Sequence, residues 1–297
     1  MFNLRNTFLL ISALLTFFII ITNHRISLHE DLIFEIKQGN SLQVVANELK
    51  KRDLILNHFF FILNAKIYNI DQKIKAGEYL LSKSESIFTL QKKFIKGDTF
   101  FRKLQLLEGM TTREILKLGN GEGIVDDING DLEKFKLKLN IVGQAEGLLF
   151  PDTFYYQKGD LFSSLLKRAF DKQQTVYIDL WNSRQEGLPY SSLIEAITLA
   201  SIIEKEGLEK EMIAGVFVNR LRKKMKLQSD PTVIFALGSK FDGNIKRSHL
   251  RIDNPYNTYK YKGLPPGPIG LVSLSSIEAA LNPKQSEYLY FVSMNNG

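Results

Sequence analysis

The chain has 297 residues, 44% hydrophobic and 24% charged, a globular balance with length for two domains besides a terminal segment. It contains no cysteine, which excludes disulfides, cysteine-ligated zinc and thiol nucleophiles. The formal net charge of +7 suits an anionic lipid or a carboxylate-bearing polymer, although a solvated basic surface is the plainer reading of charge alone, and no pattern for nucleic-acid binding accompanies it.

Residues 7–22, TFLLISALLTFFIIIT, are uncharged and follow Arg5. The run is close to the lower length limit for a spanning helix of about 17 residues. Asn23-His24-Arg25-Ile26 offers no small-x-small cleavage site, so the expectation is an uncleaved N-terminal transmembrane anchor over 1–25 that exports the rest. Next, LIFEIK (32–37) reads as a strand broken by Gly39-Asn40, with Ser41 as the N-cap of a helix carrying Leu42, Val45, Ala46 and Leu49. Asn57 caps a second helix and 76–81 returns as a strand. This βααβ pattern resembles a LysM-like module, placed at 30–98, whose plainer alternative is a generic α+β spacer.

A larger domain is expected over 99–297. LQLLEG (104–109) reads as a strand, and Thr111-x-x-Glu114 as a capping box opening a helix. Residues 119–131 are rich in turn formers and read as a loop. Ser192-x-x-Glu195 opens a helix that stops at Gly207, and a second helix follows over roughly 209–225. Asp230-Pro231 starts a short helix ending before Gly238, and Ser275-x-x-Glu278 starts another closed by Asn282-Pro283. Glu287 to Ser293 reads as a strand. Between these lies the stiff loop Gly263-Leu-Pro-Pro-Gly-Pro-Ile-Gly270, a type of segment that often lines sites. The fold class expected is α+β throughout.

Four groups of residues could carry chemistry. Glu146 precedes a glycine and an apolar run; a carboxyl desolvated there could stay protonated near neutral pH and serve as a general acid, while the bland alternative is a solvated strand edge. Glu204-Lys205-Glu206 ends a helix and reads as a solvated face. Asn219, Arg220, Gln228, Ser229 and Asp230 could bind a substrate, with capping the preferred reading for Ser229 and Asp230. Asn254-Pro-Tyr-Asn-Thr-Tyr259 could bind sugar or be a packed turn. The histidines His24, His29, His58 and His249 include no i, i+4 pair, so no metal site is expected, and neither nucleotide motifs nor a cofactor site is seen.

Taken together and in order, AEGLLFPDTFYY, LASIIEKEG, VFVNRLRKKMKLQSDPTVIFALG, NPYNTYKYKGLPPGPIG and SIEAALNPKQSEYLYFV resemble the YceG-like, endolytic murein transglycosylase family. The resemblance covers roughly residues 30–297. It implies a lytic cut between N-acetylmuramic acid and N-acetylglucosamine, with Glu146 as the catalytic acid and base, leaving 1,6-anhydro ends and limiting nascent glycan strands. It implies that Glu204 and Glu206 lie in or near the cleft and that Asn219, Gln228, Tyr256, Asn257 and Tyr259 position the glycan. The partners implied are peptidoglycan strands, the cytoplasmic membrane through the first helix, and peptidoglycan synthases; no cofactor is implied. The location implied is the extracytoplasmic face of the inner membrane. Two departures are Ala145, where a larger residue is usual, and the end at Gly297, short of a histidine- and asparagine-bearing stretch and a final helix. A hydrolytic muramidase and a non-catalytic wall-binding protein are the alternatives.

Overall fold

The computed structural model describes residues 4–22, 28, 30–70, 72–83 and 85–291. The chain divides into two compact units, Met1–Arg102 and Lys103–Gly297.

In the first unit, α1 (Leu4–Thr22) is followed by β1 (Leu32–Ile36), α2 (Leu42–Lys51), α3 (His58–Ile67), β2 (Gly77–Leu81) and α4 (Ile87–Lys96). β1 and β2 pair antiparallel with Phe34 opposite Tyr79, the βααβ order that the sequence predicts. Ser41 accepts from Val44 N and Asn57 from Phe59 N, so both caps form as read. One apolar core built on Phe34, Leu49, Phe61, Tyr79, Leu90 and Phe94 joins the sheet to the helices. The sequence reading names no element between 82 and 98. Here α4 is fixed by a Ser86–Thr89 capping box, and its Ile87, Leu90 and Phe94 are buried at helical spacing.

The spanning anchor is a correction. Among the described residues, no helix is long and apolar enough to cross a membrane. α1 has 19 residues, near the short end of the lengths that can span. Its first turn also carries Asn6, and Phe17 packs edge-to-face on Phe60 of α3. The proposed non-cleavage site at 23–26 lies outside the described residues.

The second unit is mainly helical. β3 (Arg102–Gln105) begins at its boundary and forms a two-stranded sheet with β4 (Thr153–Tyr156). Around them lie α5 (Thr112–Leu116), α6 (Leu132–Leu139) and the 21-residue α7 (Phe162–Asn182). Then come α8 (Leu193–Glu206), α9 (Lys210–Arg222), α10 (Asp230–Leu237) and α11 (Leu274–Leu281). The capping boxes of α5 (Thr111, Glu114) and α8 (Ser192, Glu195) are both made. α8 is buried continuously from Ala196 to Ile203 and packs against α9 and α11, so it is the axis of the unit's larger apolar cluster. Two buried tyrosines stitch α7 and the segment before α8 to the C-terminal part: Tyr177 donates to Val272 O and Tyr190 to Ala280 O.

Several expectations shift. α6 and α7 have no counterpart in the sequence reading, and β3 starts two residues before the predicted strand. The cap of α11 is Ser273 rather than Ser275. The predicted strand at 287–293 does not form over its described part. Its carbonyls are held by side chains instead of a neighbouring strand: Asn219 Nδ2 reaches Ser286 O and Tyr288 O at 2.6 and 3.0 Å, and Arg220 Nε reaches Leu289 O at 2.7 Å.

Within α9, Gly215 faces this C-terminal stretch. A Cβ there would sit 2.4 Å from Lys284 O. Alanine in a helix interior ordinarily stabilises by about 1 kcal/mol over glycine. Here the backbone clash reverses the sign, and Gly215→Ala is expected to cost roughly 1–3 kcal/mol in urea denaturation. A more stable variant would show that α9 and the 284–289 segment are not in this contact.

Candidate active site

The loop that contains Gly263–Gly270 is the organising feature. Leu271 N donates to Met110 O and Gly109 N to Leu271 O, both at 2.8 Å. Ile269 N donates to Ser201 Oγ on α8 at 3.0 Å. Gly147 has φ +72°, and a Cβ on it would lie 2.5 Å from Pro268 Cβ. The buried Gln173 of α7 donates to Gly147 O at 3.1 Å. The turn bearing Glu146 is thereby pressed between the loop and α7.

Glu146 is half-buried, and its carboxylate accepts from Thr112 N, at the first turn of α5, at 2.9 and 3.2 Å. Loss of solvent raises its pKa to about 7, against the lowering pull of the Thr112 and Gly147 donors; the nearby Glu114 adds a smaller upward push. Tyr256 donates to Gln144 Oε1 at 3.2 Å, and its hydroxyl is pushed up by burial and by the charge of Glu146. Its ring packs 4.8 Å from that of Phe235 on α10. A Cβ on Gly267 would overlap Gln144 Oε1, so the loop backbone closes tightly over this pair. Glu146, Gln144, Thr112 and Tyr256 thus form one group under the loop. Ala145, the small residue noted above, is buried, and its carbonyl accepts from Thr112 Oγ1 at 3.3 Å.

The Glu204-Lys205-Glu206 motif is not a uniform solvated face. Glu204 is tied to Lys210 Nζ at 3.0 Å and accepts from Ser273 N at 2.9 Å and from Ser273 Oγ. Burial alone would raise its carboxyl, but the Ser273 and Lys210 donors together outweigh burial and hold it below its ordinary range. It fastens α8 to α9 and to the start of α11. Lys205 is exposed, with its ammonium close to Gly109. Glu206 turns the other way and accepts from Ser229 Oγ. Burial raises its pKa, Asp230 adds to the rise, and the Ser229 hydroxyl and Arg220 oppose it.

Around Glu206 lie most of the other motif residues. Tyr259 Oη donates to Asp230 Oδ1 at 2.6 Å, and burial with Asp230 drives its pKa upward. Ser229 N and Gln228 N donate to Thr258, at 3.0 Å to Oγ1 and 3.2 Å to the carbonyl. Gln228 is exposed on a left-handed backbone, φ +52°. Capping, the reading preferred for Ser229 and Asp230, is corrected: Ser229 makes no side-chain cap bond to α10 because its hydroxyl is spent on Glu206, and Asp230 receives Tyr259. Asn219 and the fully buried Asn257 hold backbone, the latter through Leu250 O and Ile252 O at 3.1 and 2.9 Å. Arg220 is buried as well and bonds Leu227 O at 2.6 Å.

Sequence reasoning assigned no role to Thr112, Gln144 or Gln173. Thr112 carried a signal as the residue after a cap, whose N–H is free at a helix start; that it meets Glu146, 34 positions on, is a tertiary fact. Asp152, in the same motif as Glu146, is exposed and bound by Lys172, which lowers its pKa.

A model of the YceG-like family matches residues 34–297. A Bacillus subtilis (strain 168) protein named endolytic murein transglycosylase is 35% identical over 285 residues, covering 88% of this chain and 78% of that protein. A Streptococcus pneumoniae (strain R6) protein of the same name is 32% identical over 299 residues, 86% of this chain; the chain spans about half of that relative, 53%. The crystal structure of a yceG-like protein from Listeria monocytogenes aligns with a TM-score of 0.53 at 32% identity, covering 89% of this chain and 94% of that one.

The raised pKa of Glu146 has a consequence for stability. Between the unfolded value near 4.5 and the folded value of about 7, the native state keeps a proton that the unfolded chain has lost. Stability therefore falls as pH rises through that window, by on the order of 3 kcal/mol at 1.36 kcal/mol per unit. Glu146→Gln removes this dependence. Its stability relative to the parent, from urea melts, is expected to improve by a kcal/mol or more between about pH 5 and pH 8; a constant difference across that range would contradict the shift.

Proposed function

This chain belongs to the YceG-like family, and from that premise we propose that it is an endolytic murein transglycosylase, a lyase that cuts peptidoglycan glycan strands internally. The observation that carries the reading is a carboxyl held protonatable near neutral pH, Glu146, under a tightly fastened loop. Such a group donates its proton to the glycosidic oxygen as the bond from C1 of N-acetylmuramic acid to that oxygen breaks. The resulting carboxylate takes the proton of the muramic C6 hydroxyl, and O6 bonds to C1. The product is a 1,6-anhydro end, the carboxyl is restored, and no water is consumed.

A retaining or inverting hydrolase would need a second carboxylate, about 5–5.5 or 6.5–9.5 Å from the first. Glu204 is a poor partner because Lys210 and Ser273 already occupy it. Glu114, whose charge acts on Glu146, is committed to the cap of α5. These engagements favour the lytic route.

A second reading places the same proton transfers on Glu206. It is favoured by a specific observation: Ser229, Asp230, Tyr259 and Arg220, all within the family-like motifs, gather about that carboxyl, whose pKa is also raised. Gln228 and Tyr256 present polar groups suited to the sugar's acetamido and hydroxyl groups in either case.

Action on nascent strands, beside the synthases that extend them and at the outer face of the cytoplasmic membrane, is the finer part of the proposal. It is supported by where peptidoglycan is made and by the apolar side chains that α1 presents, among them Phe8, Leu10 and Ile20. The LysM-like reading of residues 30–98 rests on their βααβ order.

Purified peptidoglycan digested with the parent, Glu146→Gln and Glu206→Gln and analysed by mass spectrometry tests these statements. Anhydro ends are expected from the parent, with a loss of about 10²–10⁴-fold in the variant whose carboxyl carries the proton. Loss in Glu206→Gln with activity kept in Glu146→Gln moves the step to Glu206; reducing ends from the parent overturn the lytic route. With Glu146 as the acid, the rate also falls as pH rises through about 7, as the proton to be donated is lost.

A further inference from the structure

The first unit holds a cavity of about 340 Å³ between β1, the turn after it and α2, lined by Glu35, Lys37, Asn40, Val44, Glu48 and Arg52, with Phe34 and Val45 at its floor. None of these residues belongs to the groups around Glu146 or Glu206. Three features define what it can take. β1 is an edge strand: among the described residues β2 is its one strand partner. The groove beside such an edge, closed on the far side by a helix, is a setting in which an extended peptide can dock. The rim carries both signs of charge, Lys37 and Arg52 against Glu35 and Glu48. The Arg52–Glu48 pair, at 3.0 Å, is half exposed and spaced i, i+4, a type worth a few tenths of a kcal/mol and readily exchanged for a ligand carboxylate.

The third feature argues against sugar. A sugar-binding face usually offers an exposed aromatic ring for stacking; Phe34 is 1% exposed and lies beneath the Arg52 guanidinium, 5.3 Å from its centroid. The exposed apolar side chain here is Val44, sized for an alanyl methyl. We propose that this groove binds a short peptide bearing carboxylates and a free amine, the chemistry of the stem peptides of peptidoglycan, and so holds the strand through its stems rather than its sugars. The choice of stem peptide rests on the murein reading above; the groove's preference for a doubly charged peptide does not.

The test is ¹⁵N NMR titration of the full chain with synthetic L-alanyl-γ-D-glutamyl-L-lysyl-D-alanine and, separately, with chitotetraose. The peptide is expected to shift amide signals of residues 33–37 and 40–52 with a saturating, millimolar isotherm. A Lys37→Glu, Arg52→Glu variant with an unchanged spectrum elsewhere is expected to weaken that binding at least tenfold. No shift with the peptide, shifts with chitotetraose alone, or undiminished binding by the variant would overturn the proposal. Because binding is read without turnover, the two readings fail separately: murein cleavage without peptide shifts removes this site alone, and peptide shifts without any cleavage remove the lytic assignment alone.

Discussion

Gly109 and Gly270 meet backbone to backbone, so closely that a Cβ on Gly270 would lie 2.6 Å from Gly109 O. The two hydrogen bonds of Leu271 with Gly109 and Met110 run alongside. This contact joins the strand-to-helix turn before α5 to the glycine- and proline-rich loop, and the loop in turn covers the Glu146 turn through Pro268. The position of the carboxyl, its Thr112 donors and its loss of solvent all follow from that approach. Proline stiffness and glycine bareness serve different ends here: the first keeps the loop in one shape, the second lets two backbones touch.

The three residues Glu204, Lys205 and Glu206 show how neighbouring side chains on one helix end can take unrelated tasks. Glu204 is half-buried with a cation and a serine and acts as a fastener; taking away Lys210 would leave a largely desolvated charge without its ion-pair partner, a costly state. Lys205 faces outward. Glu206 has only a hydroxyl as its nearest donor, so burial dominates and its pKa rises where that of Glu204 falls. Full charge compensation separates a structural carboxylate from one able to move a proton.

Helix starts were the most legible parts of the sequence. Ser41, Asn57, Thr111 and Ser192 announce themselves through local hydrogen bonds, and local rules suffice for them. α7 was harder to read, since no side chain caps it; Leu161 stands at its N-cap. The 287–291 segment misled because a strand's apolar alternation does not reveal that its carbonyls are claimed by Asn219 and Arg220. Of the candidate site, Glu146 and the stiff loop stand out in the sequence by themselves. Which groups surround each carboxyl could not, because Thr112, Ser229 and Ser273 reach them across 34, 23 and 69 positions. Ser229 shows the limit of a local rule: it stands in a cap position and spends its hydroxyl on a distant acid.

Proton transfer at Glu146 depends on water being kept from its carboxyl. Carbon-detected NMR of the chain labelled at the glutamate side-chain carboxyls, with Glu146→Gln and Glu206→Gln used to assign the two signals, reads this without substrate. The expected result is a Glu146 midpoint of about 7, with Glu206 also above the ordinary glutamate range. Midpoints for both at or below the ordinary value of 4.5 would contradict the account.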